Sequence, residues 1–73
     1  MILVKLFAYF RDGRGKELEV EWHEGLTAGD VIDSLGIKRE DVSILLINRR
    51  HQPPETVLEE GQTLFLFPPV GGG

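Results

Sequence analysis

The sequence has 73 residues, no cysteine, 12 acidic against 8 Lys and Arg side chains, and a formal net charge of -4 at pH 7. That length fits one domain with one modest core, and the lack of Cys removes disulfides, Cys-ligated zinc and thiol chemistry from the chain, in keeping with a cytoplasmic setting. Acidic residues spread along the chain speak against a nucleic-acid footprint of clustered Lys and Arg, and Lys5 cuts the apolar start Ile2-Leu3-Val4, so neither signal peptide nor membrane span is expected.

Residues 2–10, ILVKLFAYF, alternate Ile2, Val4, Leu6, Ala8 and Phe10 against Leu3, Lys5, Phe7 and Tyr9. This is the period of a central strand with one apolar and one mixed face. Arg11-Asp12-Gly13-Arg14-Gly15 is turn chemistry, and in the following KELEVEW Leu18, Val20 and Trp22 alternate with Glu17, Glu19 and Glu21, which completes a hairpin with a wet outer edge. After the break at His23-Glu24-Gly25, Thr27 stands three residues before Asp30, a weaker relative of the capping box. Val31, Ile32 and Leu35 share a face and Gly36 is the left-handed stop, which predicts a helix of roughly three turns covering one sheet face.

SILLIN, residues 43–48, reads as a buried strand, followed by a polar turn at Asn48 and a short return around Arg50 to Gln52 that Pro53-Pro54 ends. Residues 55–62 form a loop with Val57 and Leu58 as a plug under the core, and TLFLF, residues 63–67, is the last strand. The order is strand, strand, helix, strand, short strand, loop, strand: an α+β domain over residues 1–67 with an arm over 68–73. Leu3, Phe7, Tyr9, Phe65 and Phe67 alternate out of phase with the inward positions of the two central strands. One helix covers only one side of a sheet, so these five are expected on an exposed apolar face where a partner docks.

The arm reads Pro68-Pro69-Val70-Gly71-Gly72-Gly73. Two prolines fix φ near -65° and direct the chain away from the sheet, and six extended residues reach roughly 20 Å, enough to enter a partner's active site. Glycines at the tip carry no Cβ to obstruct a narrow tunnel. The α-carboxylate of Gly73 is a poor electrophile until activated; as an acyl-adenylate it accepts sulfur and becomes a thiocarboxylate.

With Glu60-Gly61 before the last strand, Phe67-Pro68-Pro69-Val70 leaving it, Gly72-Gly73 at the tip and Thr27-Ala28-Gly29-Asp30-Val31-Ile32 entering the helix, essentially the whole chain resembles the ubiquitin-like sulfur-carrier (MoaD/ThiS) family. The Phe-Pro-Pro-Val form is most similar to the small subunit of molybdopterin synthase. The resemblance implies a β-grasp fold, a mixed sheet whose first and last strands lie parallel in the middle, one main helix on one face, and a protruding C-terminal tail. It implies that a ubiquitin-activating-type enzyme, using its own ATP and magnesium, adenylates Gly73 and supports its thiocarboxylation with sulfur from a donor protein. Pro68, Pro69, Val70, Gly71 and Gly72 would carry Gly73 into the large synthase subunit or another acceptor enzyme. The chain itself would be a cosubstrate without catalytic residues or bound cofactor.

Three departures bear on this resemblance. Gly71 stands where the family often has a small side chain. Asn48-Arg49 replaces the Asn-Gly common at that turn, so a different or longer turn is expected. The compact span between helix and third strand also suits carriers for thiazole synthesis and tRNA thiolation.

Other readings stay beside this one. An activated Gly73 also serves a protein modifier that forms an isopeptide bond to lysine, and an inert tail would leave a ubiquitin-like binding domain. His23 and His51 are single histidines in turns without ligand spacing, so no metal site is expected. Gly13-Arg14-Gly15 joins two strands and does not precede a helix, unlike a phosphate loop. Glu59-Glu60 have the residue types of paired carboxylates for acid-base work, yet they precede a turn glycine and no pocket is apparent. The Glu17, Glu19, Glu21 stripe reads as a solvated edge that discourages strand addition and is available to steer a basic partner.

Overall fold

The computed structural model describes residues 1–69. Two alternating segments distant in sequence form its centre: β1 (Ile2–Leu6) and β5 (Thr63–Phe67) pair in parallel, with Val4 opposite Leu64 and Leu6 opposite Leu66. All four of these side chains are fully buried. β2 (Glu17–Val20) pairs antiparallel with β1, β3 (Ile44–Ile47) pairs antiparallel with β5, and β4 (Arg50–His51) completes the order β2-β1-β5-β3-β4. The β-grasp arrangement expected from the sequence is the one observed.

Helix α1 (Ala28–Ser34) lies on one face and buries Val31 and Ile32 with Ile2, Val4, Leu6, Leu64 and Leu66. Its start is a reciprocal capping box: the Asp30 N–H donates to Thr27 Oγ1 and the Thr27 N–H donates to Asp30 Oδ2, both at 3.1 Å. Its end is a Schellman motif, with Gly36 at φ +75°, its N–H on the Asp33 carbonyl at 3.0 Å and the Ile37 N–H on the Ile32 carbonyl at 3.3 Å. Arg14, from the hairpin turn, donates through Nε to the Leu35 carbonyl at 3.1 Å. These stops leave seven residues, about two turns, so the helix is a turn shorter than expected.

Four further expectations are corrected. The first strand ends at Leu6, because Ala8 enters the left-handed region at φ +53° and a 3-10 turn over Ala8–Arg11 swings Phe10 into the core while Ala8 and Tyr9 stay exposed. Of the expected plug, only Leu58 is buried; its N–H donates to the Leu26 carbonyl at 2.7 Å, and Val57 points outward at 59% exposure. β3 is buried on one face alone, with Leu45 and Ile47 inside and Ile44 exposed. The β3–β4 connection is the tight two-residue loop after all, since Ile47 pairs with Arg50. Asn48 at φ +50° and Arg49 at φ +72° supply the two left-handed conformations that a type I′ hairpin turn needs. Asn48 tolerates its position by accepting the Thr63 N–H on Oδ1 at 3.1 Å, whereas no hydrogen bond of the Arg49 side chain is present among the described residues.

Two predictions follow from these geometries. Left-handed backbone costs a non-glycine residue roughly 1–2 kcal/mol, so Arg49→Gly raises the unfolding free energy by about 1 kcal/mol in urea titration. The Asp30 carboxyl is held below its ordinary value of 3.8, first by the Thr27 N–H and then by the Thr27 side chain. A carboxyl depressed on folding stabilises the native state above its unfolded pKa and loses that contribution as pH falls through the folded one. The melting temperature of Asp30→Asn therefore lies below that of the wild type at neutral pH, and the gap closes below about pH 4.

Candidate functional site

In β1 and β5 the residues between the buried positions all point away from the helix. Leu3 and Lys5 on β1 stand opposite Thr63 and Phe65 on β5, and Phe65 and Phe67 stand opposite Leu46 and Ile44 on β3. Leu3, Phe7, Leu46, Phe65 and Phe67 are each half-buried by their neighbours alone, and Ile44 is exposed. Phe7, just beyond β1, stacks on Phe67 with ring centroids 4.1 Å apart and planes 6° from parallel, and on Phe65 at 6.4 Å. The result is an open sheet face with an aromatic row at its centre.

Cations sit on this row. The Arg11 guanidinium lies 5.2 Å from the Phe7 ring centroid while its Nε donates to the Leu6 carbonyl at 2.8 Å, and Lys5 Nζ lies 5.8 Å from the Phe65 centroid. Such contacts hold each ammonium or guanidinium against an aromatic face and keep the rings from being purely apolar surface. Beside them a depression of about 320 Å³ opens between Leu3, Lys5, Asn48, Arg49, Thr63 and Phe65, lined by two cations and no carboxylate.

Four of the five expected docking residues, Leu3, Phe7, Phe65 and Phe67, share this face. Tyr9 does not join them. The 3-10 turn carries it to a separate hollow with Phe10, Arg14, Gly36, Ile37, Lys38 and Asp41, where its ring meets Phe10 edge to face at 5.4 Å. The structure adds Ile44 and Leu46 to the face, which the continuous apolar run SILLIN left without a readable side.

The arm leaves from the same place. The Ser43 N–H donates to the Phe67 carbonyl at 2.8 Å, the last ladder bond before Pro68 and Pro69, which have no N–H to continue it. Pro68, expected to open the arm, is buried, and Pro69 is exposed. The expectations for Val70, Gly71, Gly72 and Gly73 lie outside the described residues.

The remaining candidates are dispersed. His23 and His51 are exposed, with His51 on β4 and not in a turn, and no group of three or more His, Cys, Asp or Glu able to hold a metal occurs among the described residues. Glu60 pairs with the Met1 ammonium, and the Gln62 side chain accepts the Glu59 N–H at 2.8 Å, so Glu59 and Glu60 sit in a turn that closes onto the chain start. Asp33 accepts from Arg39 Nε at 3.1 Å and Nη2 at 2.9 Å, a fork that holds the guanidinium pKa above its ordinary value. Among the described residues no helix is long and apolar enough to cross a membrane.

The sequence model of the ThiS family matches residues 4–73. The chain belongs to the ThiS family. Its fold is shared with SAMP1 from Haloferax volcanii, at 25% identity over 99% of this chain and 98% of that one with a TM-score of 0.79. It is shared equally with a putative molybdopterin converting factor subunit 1 from Pyrococcus furiosus, at 28% identity over 94% and 97% of the two chains with a TM-score of 0.78. The complex of subunits 1 and 2 of molybdopterin-converting factor from Helicobacter pylori 26695 contains a chain of the same fold, at 19% identity over 99% and 97% with a TM-score of 0.65. This ThiS-family chain is thus a ubiquitin-like sulfur-carrier family member with a β-grasp fold, as the sequence led one to expect.

Core and face respond differently to truncation. Leu64→Ala, from a fully buried position, lowers the unfolding free energy by about 2–5 kcal/mol, whereas Phe65→Ser, one residue on and half-buried, costs about 1–2 kcal/mol and keeps a cooperative transition in urea.

Proposed function

We propose that this chain is a sulfur carrier that delivers sulfur from a Gly73 thiocarboxylate in the synthesis of molybdopterin, the pterin that holds molybdenum or tungsten. The observation that carries the reading is the departure point of the arm: Phe67-Pro68-Pro69 leaves the central strand of the sheet directly beside the aromatic face. A partner that docks on Leu3, Phe7, Phe65 and Phe67 therefore receives the arm at a fixed place relative to the contact.

The chemistry divides between carrier and partners. On a ubiquitin-activating-type enzyme the Gly73 carboxylate oxygen attacks the α-phosphorus of ATP, forming the acyl-adenylate and releasing pyrophosphate. Hydrosulfide supplied by a donor then attacks the acyl carbon, forming C–S and breaking the C–O bond to AMP, which leaves the thiocarboxylate, AMP and a proton. The carrier contributes reach, a slender tip and a docking surface, and the catalytic groups reside in the adenylating enzyme and in the acceptor, the large subunit of molybdopterin synthase. Likeness to subunit 1 of a molybdopterin converting factor supports that acceptor. Sulfur delivery for thiazole synthesis or tRNA thiolation uses the same first two steps.

A second reading has its own support. The structural likeness to SAMP1, a small archaeal modifier protein, favours conjugation of Gly73 to lysines of other proteins. Both readings begin at the same adenylate and differ in the nucleophile that takes the acyl group.

Intact-mass measurement after incubation with an adenylating enzyme, ATP and a sulfur donor separates them. Sulfur carriage predicts a gain equal to one oxygen replaced by sulfur, mapped to the C-terminal peptide and alkylated by a thiol reagent; with no Cys in the chain, no other residue supplies that thiol. Removal of Gly72 and Gly73 abolishes the gain and leaves the fold intact. Adenylation without sulfur, accompanied by Gly73 isopeptide-linked to lysines, overturns carriage in favour of the modifier; no activation at all overturns both.

A further inference from the structure

The open face is ordered in charge as well as in polarity. Leu18 and Val20 pack toward the core, so Glu17 and Glu19 on β2 lie on the open side, and the register sets Glu19 opposite Leu3 and Glu17 opposite Lys5. Leu3 is in turn opposite Thr63, and Thr63 is tied to Asn48 by the Asn48 N–H to Thr63 carbonyl bond at 2.9 Å and the bond from the Thr63 N–H to Asn48 Oδ1. One row across the sheet therefore reads Glu19, Leu3, Thr63, Asn48-Arg49. The next reads Glu17, Lys5, Phe65, Leu46, and beyond it Phe7 and Phe67 stand beside Ile44.

At its charged rim and its aromatic end this pattern complements itself under one rotation. β5 is the third of five strands, so a two-fold axis running along β5, just above the face, lays β2 of a second copy over the β3–β4 turn of the first. Rows are preserved by that rotation. Phe65 and Phe67 meet their own counterparts on the axis, Phe7 covers the exposed Ile44, and Glu19 of each copy stands over Arg49 of the other, above the depression lined by Lys5 and Arg49. The alternative axis, across the strands, would set the Glu17 and Glu19 edge over itself, which like charge opposes. Face-to-face packing of two sheets with nearly aligned strands is an ordinary arrangement, and a two-fold contact uses one patch twice.

A second feature agrees with this. Arg49 keeps its charge in a left-handed turn position where glycine would be free of cost, and strained side chains of that sort persist where they make contacts beyond the fold. We propose that the open face binds a second copy of this chain, forming a two-fold dimer whose axis follows β5 and whose rim carries two Glu19–Arg49 pairs. Self-association and docking of another partner on Leu3, Phe7, Phe65 and Phe67 are then mutually exclusive. The dimer does not depend on sulfur chemistry and stands or falls apart from it.

Sedimentation equilibrium of the full chain tests it. The weight-average mass is expected to rise from 8.2 kDa toward about twice that value over roughly 10 µM to 1 mM, the range of a small, weak interface. Glu19→Arg and Arg49→Glu each place two like-charge contacts in the dimer and raise its dissociation constant at least about tenfold, and the double variant Glu19→Arg with Arg49→Glu restores association. Circular dichroism confirms that each variant is folded. A chain that is monomeric throughout the range overturns the proposal and leaves the face to a different protein. A dimer indifferent to both single variants, as strand pairing along the β2 edge would give, overturns it as well, and so does a double variant that stays monomeric.

Discussion

The pairing on which everything else rests is the parallel ladder between β1 and β5. It joins residues 2–6 to residues 63–67, so nearly the whole chain must be enclosed before this contact forms, and the entropy of that closure is lost before the buried contacts return it. Val4, Leu6, Leu64 and Leu66 offset that loss by being removed from water completely. Once the two strands are side by side, β2 and β3 have one remaining edge each, and α1 has a single apolar surface to cover.

The same ladder fixes the opposite face. Because side chains alternate across a strand, the register that buries Val4 and Leu64 also brings Leu3, Lys5, Phe65 and Phe67 together on the uncovered side. Phe7 then stacks on Phe67, and Arg11 and Lys5 lie on the rings. Among the described residues the one helix covers only the opposite side, and the arm begins beside this surface. Core and open face are thus two sides of one constraint, which is why positions one residue apart are fully buried and half-buried in turn.

Left-handed backbone shows where stability was not the governing term. Ala8, Asn48 and Arg49 all have positive φ without being glycine. Ala8 ends β1 and turns Phe10 into the core; Asn48 is secured by its bond to Thr63. Among the described residues Arg49 makes no comparable bond, and its side chain stands at the margin of the open face.

Much of this was legible in the chain. Period-two alternation in ILVKL, ELEV and TLFLF marked three strands, Thr27 and Asp30 marked the helix start, and Gly36 its stop, since each signal depends only on neighbours in sequence. Signals that depend on distant partners misled. Alternation continued through Tyr9, yet Phe10 found a better place by turning inward, which took Tyr9 off the face. The run SILLIN looked buried throughout because four consecutive apolar residues carry no phase, and only pairing with β5 exposed Ile44. A non-glycine residue at Arg49 argued for a longer loop, and the pairing of Ile47 with Arg50 outweighed that local preference. Sequence alone determined the strands, the helix and their order, because composition and local propensity suffice for those. Tertiary structure decided which apolar residues are core and which are surface, and drew Glu19, Leu3, Thr63 and Arg49 into one row, because register is a relation between strands that no single stretch of chain contains.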